Sequence, residues 1–276
     1  MSAEPCYRHA TTAAAVVCAR CDRPICTDCM IQAPVGWQCP ECVGQGAKKS
    51  RVSPTRRSAV GSTNPTPVVI GLIAINVATF VATGLGKSSR VDRFALQPIN
   101  IHYFHEYYRL FTAMFLHASI IHIAGNMIAL LIVGPAVEAM LGRSRFLALY
   151  LIAGLGGSVC SYLLGQATEF GVGASGAIFG VMGAYVVLAR RRRVPMGPVV
   201  ALIAINLAIG FTGNIDYRAH IGGLAVGALV ALVYDVAANL RRPWPALALT
   251  IGFSAAVLVV LFALVVGITP GHVNLA

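Results

Sequence analysis

From Pro67 onward the chain alternates long apolar runs with short polar or basic connections. Runs near 67–85, 111–137, 146–166, 173–190, 195–213, 218–237 and 245–268 each reach about the 20 residues needed to cross a hydrocarbon core. Backbone groups in lipid must bond within their own segment, so runs of this length predict helices. The pattern predicts an all-α polytopic membrane protein with seven spans, six in a core over 67–237 and one more at 245–268. Residues 1–45 carry no such run and read as a separate module, and 46–66, rich in Lys, Arg, Ser and Pro, reads as a basic flexible linker.

Composition agrees with the pattern. The 276 residues are 57% hydrophobic and 11% charged, with a mean hydropathy of +0.74, whereas soluble domains carry roughly 25% charged residues. A net charge of +11 would suggest nucleic acid for a soluble protein. Here every alternate connection is basic, with Lys48 to Arg57, Arg143 and Arg145, Arg190 to Arg193, and Arg241 with Arg242, while the intervening ones hold Lys87, Arg90, Arg93, Arg109 and Arg218. Cytoplasmic loops concentrate such residues, so the charge sets orientation and no nucleic-acid partner is expected. The expected protein is multi-pass in the plasma membrane, with its N-terminus cytoplasmic and its C-terminus outside. No secretory signal is visible at the start.

Seven of the eight cysteines precede residue 43. They form Cys6-x2-His9, Cys18-x2-Cys21, Cys26-x2-Cys29 and Cys39-x2-Cys42, eight ligands in four pairs. In a reducing compartment such clusters bind metal more often than they form disulfides. Eight ligands suffice for two tetrahedral, structural zinc ions, and so small a module needs them to fold. A disulfide-stapled module is the alternative. The pattern resembles B-box-like or RING-like fingers, which implies a cross-brace of first with third and second with fourth pairs; sequential sites also fit the spacing. Docking of a cytoplasmic partner is the expected role.

Polar groups inside the apolar runs call for a reason. Ser175 begins the fourth run among Gly173, Gly176 and Gly180, and His220 begins the sixth, ahead of Gly223 and Gly227. In the alternating topology both lie at one outer depth, Ser175 about one turn into its span. Small residues four apart let helices approach closely, so the two seams can bring hydroxyl and imidazole together. His122 and Asn126 share a helix face in the second run, and such donors can stabilise an oxyanion. For each of these residues, ordinary interhelical bonding is the plainer alternative.

Gly173-Ala174-Ser175-Gly176, Ala219-His220-Ile221-Gly222-Gly223 and His122-x3-Asn126 resemble the motifs of rhomboid intramembrane serine proteases. Tyr108-Arg109 and Gly134-x3-Glu138-x3-Gly142 resemble further family positions. The resemblance implies a six-helix core with Ser175 as nucleophile and His220 as general base. It makes His122, Asn126 and the Ser175 N–H the oxyanion hole, supported by Gly173, Gly176, Phe179 and Gly223. Phe179 stands where many members carry Tyr, keeping the ring that stacks on the histidine. The seventh span and the zinc module lie outside that core.

A triad needs a carboxylate on the imidazole. Glu169 and Asp216 are the nearby acids, and a Ser-His dyad is the expected machinery, with no cofactor in catalysis. The substrates expected are transmembrane segments of other proteins in the bilayer, cut near the outer face. Water reaches them through a small polar cavity. The alternative is an inactive rhomboid-like protein that binds membrane helices. A transporter would show paired broken helices or intramembrane acids, and a helical zinc protease would show His-Glu-x2-His.

Overall fold

Among the described residues of the N-terminal segment few large apolar side chains are buried, and its cysteines supply the core instead. Cys6, Cys18, Cys26, Cys29, Cys39 and Cys42 are buried with Ile25. Around them β1 (Val16–Val17) pairs antiparallel with β2 (Pro24–Ile25), β3 (Ile31–Gln32) pairs with β4 (Trp37–Gln38), and α1 (Pro40–Lys49) follows. Two-residue strands cannot hold a fold alone. The turns that carry the cysteines are therefore the organising elements.

This computed structural model describes residues 4–33, 36–49, 66–86, 89–212, 215–240 and 242–268. Most of the expected linker, with Arg51, Arg56 and Arg57, lies outside the described residues, as do Lys87 and Arg241. The chain divides into two units, Met1–Ser58 and Ala59–Ala276.

In the second unit, α2 (Pro67–Ala82) leads into three short helices, α3 (Ser89–Phe94), α4 (Pro98–Phe104) and α5 (Arg109–Thr112). Then come α6 (Ile120–Leu141), α7 (Arg143–Leu164), α8 (Ser175–Arg192), α9 (Gly197–Thr212), α10 (Tyr217–Ala238) and α11 (Pro243–Gly267). This is the all-α membrane architecture with six core helices and a seventh. Helices α6, α7, α10 and α11 are long and apolar enough to cross a membrane, and α2 and α9 are shorter apolar helices. Every residue of α8 from Gly176 to Ala184 is buried. A helix covered on all sides is a central one, with α7 and α10 packed on it.

The glycine seams do meet. A Cβ on Gly223 would overlap the Gly176 carbonyl, and one on Gly227 would overlap the Gly180 carbonyl. Backbone thus rests on backbone between α8 and α10, which only residues without side chains allow.

Two expectations are corrected. The second span does not begin at 111: residues 109–115 form short turns, Leu116 is extended, and α6 starts at Ile120. Ser119 caps that start, its Oγ accepting from the His122 N–H at 3.1 Å, within a stretch whose polar residues Thr112, His117 and Ser119 are scattered among apolar ones. Ser175 likewise does not lie one turn into its helix but is its first residue. Gly173, at φ +134°, turns the chain just before it, a conformation that L side chains rarely adopt.

Buried acids hold the basic end of the bundle. Glu138 on α6 is 2% exposed and accepts the Val68 and Val69 N–H groups at 3.3 and 3.0 Å, with the Thr66 hydroxyl donating as well. It satisfies the free amides at the start of α2. Asp235 on α10 pairs with Arg191 at 2.6 Å and Arg192 at 3.4 Å.

Candidate active site

At the opposite end, α8 and α10 both begin where their residues are needed. The α8 helix takes its first bond from Ile178 N–H to the Ala174 carbonyl. The amides of Ser175, Gly176 and Ala177 therefore lie in the first turn without an intrahelical acceptor. Together with the helix dipole they make a positive end beside the Ser175 hydroxyl. The α10 helix is capped by Asp216, which accepts from the Arg218 and Ala219 N–H groups at 3.1 Å each.

His220 lies in the first turn of α10 and is 3% exposed. Its ring stacks on Phe179 at 4.0 Å between centroids and 8° between planes. Phe179 is one turn beyond Ser175, so the stack fixes the imidazole over the helix that carries the serine. Neither ring nitrogen of His220 has a hydrogen-bond partner among the described residues. The adjacent backbones touch: a Cβ on Gly176 would lie 3.3 Å from the Ala219 carbonyl.

His122 comes in from α6. A Cβ on Gly173 would lie 2.8 Å from His122 Nε2 and 3.6 Å from Ser175 Oγ. The bare glycine is thus the gap through which the two side chains approach. Asn126, one turn further along α6, is 9% exposed, and its Nδ2 has no partner among the described residues. Buried donors with no partner are expensive, and here two side chains leave them at one place. Ser175, His220, His122, Gly173, Gly176, Phe179 and Gly223 gather at this end of α6, α8 and α10, with Asn126 one turn below.

Neither nearby acid serves His220. Asp216 is engaged as a helix cap and takes the Ser161 hydroxyl at 2.5 Å, and Glu169 pairs with Arg218 at 3.0 Å. Beside Ser175 lies a small open depression of ≈ 30 Å³ lined by Leu96, Ala113, Ser158, Ser161 and Asp216 among others. Of the polar set only Ser175 is on its wall, not His220, His122 or Asn126.

Several contributors escape a sequence reading. Leu96 exchanges backbone bonds with Gly171 at 2.9 and 2.8 Å, and the Gly173 N–H donates to the Ala113 carbonyl at 3.0 Å. These backbone contacts leave no residue-type signature. His117 is fully buried and meets His122 edge-on at 5.1 Å and Phe80 at 6.5 Å. Arg109, which the Tyr108-Arg109 pair already marks in the sequence, is 4% exposed. It pairs with Glu106 at 2.5 Å and donates to the Asp92 and Ala95 carbonyls at 2.7 and 2.8 Å, tying α3 to α5.

In the N-terminal unit the eight predicted ligands fall into two groups that can each hold a metal ion, Cys6, His9, Cys26 and Cys29, and Cys18, Cys21, Cys39 and Cys42. Within each, the donor atoms lie within 4.8 Å of one another. This is the interleaved arrangement, first pair with third and second with fourth. Burial opposes ionisation of Cys6 and Cys18, yet backbone N–H donors hold both thiols down at about 6. Burial and the neighbouring thiols push Cys29 up to about 11, and the thiols of Cys21 and Cys39 push Cys42 up to about 12. Thiols that crowd each other in this way are relieved by a shared cation.

A family profile for the Rhomboid domain matches residues 105–237. The chain is 41% identical over 162 residues to Rhomboid protease GluP of Bacillus subtilis, covering 56% of this chain and 29% of that protein. It is 38% identical over 137 residues to RHOMBOID-like protein 1 of Arabidopsis thaliana, covering 47% and 35%. It is 34% identical over 134 residues to YdcA of Bacillus subtilis, covering 46% and 67%. The match thus spans about a third of the length of the first two relatives.

Proposed function

The chain belongs to the rhomboid family, and from that premise we propose that it is an intramembrane serine endopeptidase acting through Ser175 and His220. The observation that carries this reading is the buried imidazole of His220, stacked on Phe179 with neither nitrogen engaged among the described residues. His117 also leaves both ring nitrogens without a partner among the described residues, so the free nitrogens of His220 count because its ring lies on Phe179, one turn beyond Ser175 on α8. A general base must keep one free for the hydroxyl it deprotonates. GluP, a relative named as a rhomboid protease, supports the same class.

In this reading Ser175 Oγ attacks the carbonyl of an unwound transmembrane segment while His220 takes its proton. His220 then returns the proton to the leaving amine, and water repeats the sequence on the acyl-enzyme. The Ser175 N–H, at the positive end of α8, together with His122 and Asn126, receives the oxyanion. With Asp216 and Glu169 engaged elsewhere, Phe179 takes over the orienting role of a third triad member. A dyad without a carboxylate is a weaker base, and slow turnover follows. The depression beside Ser175 admits the water that hydrolysis needs.

The two cysteine groups are read as zinc sites. With Zn–S near 2.3 Å, a tetrahedron places its sulfurs about 3.8 Å apart and a nitrogen–sulfur edge at about 3.5 Å. Cys21 and Cys39 are 3.8 Å apart, and His9 Nδ1 lies 3.3 and 3.5 Å from the sulfurs of Cys26 and Cys29. We assign the protein to the plasma membrane with its module, residues 1–45, in the cytoplasm, where it docks a partner. The 67–237 core then faces outward with its site, and the 46–66 linker and its basic charges stay inside.

Ser175→Ala and His220→Ala should each abolish cleavage of a transmembrane reporter while insertion is unchanged. Fluorophosphonate labelling of the wild type should be lost in Ser175→Ala. Cleavage at the wild-type rate by either variant refutes the assignment. An unlabelled, inactive but folded wild type would identify a helix-binding protein instead.

A further inference from the structure

Helix α11 lies beyond the segment that the family profile matches, which ends at residue 237. A span facing lipid needs no protein partner, and much of α11 is of that kind: Val259 is 67% exposed and Phe262 59%. One face is not. Its basic half sets Phe253 and Val257 against the main core, and Ser254 bonds the Tyr234 hydroxyl at 2.6 Å. Its other half, near the active-site end, does something different. Leu261, Leu264 and Val265 join a separate cluster that also holds Val159 and Tyr162 of α7 and Leu96, Ile101, Leu110 and Ala113 of the loop between α2 and α6. Val265 is 3% exposed there, and Phe262 meets Tyr107 edge-on at 5.9 Å.

We propose that α11 is a positioning element for the active site, its Leu261, Leu264 and Val265 clamping the loop that supplies Leu96 and Ala113 to the wall beside Ser175. The proposal rests on the protease reading for its catalytic consequence. The line of contact is short. The clamped Leu96 is bonded to Gly171 through both its N–H and its carbonyl. The clamped Ala113 receives the Gly173 N–H at 3.0 Å, and Gly173 holds the positive φ that turns the chain into Ser175. Tyr162 of α7 joins the same cluster, fully buried. It follows Ser161, whose hydroxyl fixes the α10 cap at Asp216. Thus Leu96 and Ala113 of the depression belong to this cluster, and Val159 and Tyr162 neighbour its Ser158 and Ser161 along α7.

Irregular backbone at membrane depth survives only where protein covers it. With the cluster loosened, the loop should keep its fold but lose its fixed register against Gly171 and Gly173. A catalytic group displaced by ~1 Å costs on the order of 10²-fold in rate.

The test compares two pairs of substitutions in the full-length protein. Leu261→Ala/Val265→Ala loosens the loop cluster, and Phe253→Ala/Val257→Ala removes similar packing from the half that touches only the core. The first pair should lower kcat about 10- to 100-fold with KM changed less than about twofold, because the reporter enters from lipid whatever the loop does. The second should leave kcat near wild type. Val265→Ile, which keeps the contact, should retain activity. Hydrogen exchange at Leu96, Gly171 and Gly173 should rise in the first pair only, and it reads the clamp without any activity.

Equal kcat losses from both pairs, or unchanged exchange in the first, overturns the proposal. Should the first pair not fold, Phe262→Ala and Tyr107→Leu replace it, with the same two readouts deciding for or against the clamp. A wild type that never reacts with fluorophosphonate defeats the protease reading, and the exchange data still decide the clamp.

Discussion

The contact between α8 and α10 yields the sharpest prediction, at Gly223. A Cβ there would overlap the Gly176 carbonyl, one residue from Ser175. A carbon and a carbonyl oxygen settle at about 3.3 Å or more, so Gly223→Ala must drive the helices apart by ~1 Å. Sliding gives no relief, because Gly227 is closed in the same way against the Gly180 carbonyl. Overpacking of this kind costs about 1–3 kcal/mol in stability, which a bundle of this size can absorb. The chemical cost is larger, because α10 carries His220 and α8 carries Ser175 and Phe179. A displacement of ~1 Å between base and nucleophile predicts a loss on the order of 10²-fold in kcat. The assay is cleavage of a transmembrane reporter by purified protein in lipid, with the rate of fluorophosphonate labelling and the thermal midpoint measured alongside. Gly71→Ala and Gly252→Ala, where a Cβ meets open space, should match wild type. A Gly223→Ala protein that cleaves within about threefold of the wild-type rate would show that the helix seam does not set the catalytic distance.

Asn126→Ala should lower kcat about 10²-fold if its free Nδ2 serves the oxyanion, and an unchanged rate in the reporter assay returns it to packing. Glu138→Gln keeps shape but loses the charge that caps α2. It should lower the thermal midpoint, with a loss of about 1–2 kcal/mol, and leave cleavage at low temperature intact. Elemental analysis should find two zinc ions per chain, and Cys18→Ser should retain one, because the two ligand sets share no residue. Finding no zinc would reverse that assignment.

The periodic apolar runs and the cysteine pairs carried much of this protein in plain sight. Lipid demands whole helices, so span number and class follow from run length. Tetrahedral metal needs pairs of close ligands, so Cys6 to Cys42 read as eight donors. Ser175, His220, His122 and Asn126 stood out because polar groups in hydrocarbon are costly. Which pairs of cysteines share a metal was open in one dimension, since interleaved and sequential sites have the same spacing. Only the folded unit brings Cys6 and His9 to Cys26 and Cys29. The start of α6 was hidden because Thr112, His117 and Ser119 are single polar residues in a largely apolar stretch, and none of them ends the run by itself. Asp216 read in the sequence only as a nearby acid, and its bonds to Arg218, Ala219 and Ser161 show it to be a helix cap.

The sequence by itself determined the apolar helices and the chemistry available, because each is a property of one segment. The tertiary structure decided what depends on two segments meeting. Examples are the backbone contact of Gly223 on Gly176, the stack of His220 on Phe179, and the cluster that gathers residues of α11, α7 and the loop beside Ser175. The physical reason is that lipid rewards no particular helix pair. Close packing selects the partners, and close packing is a matter of shape in three dimensions.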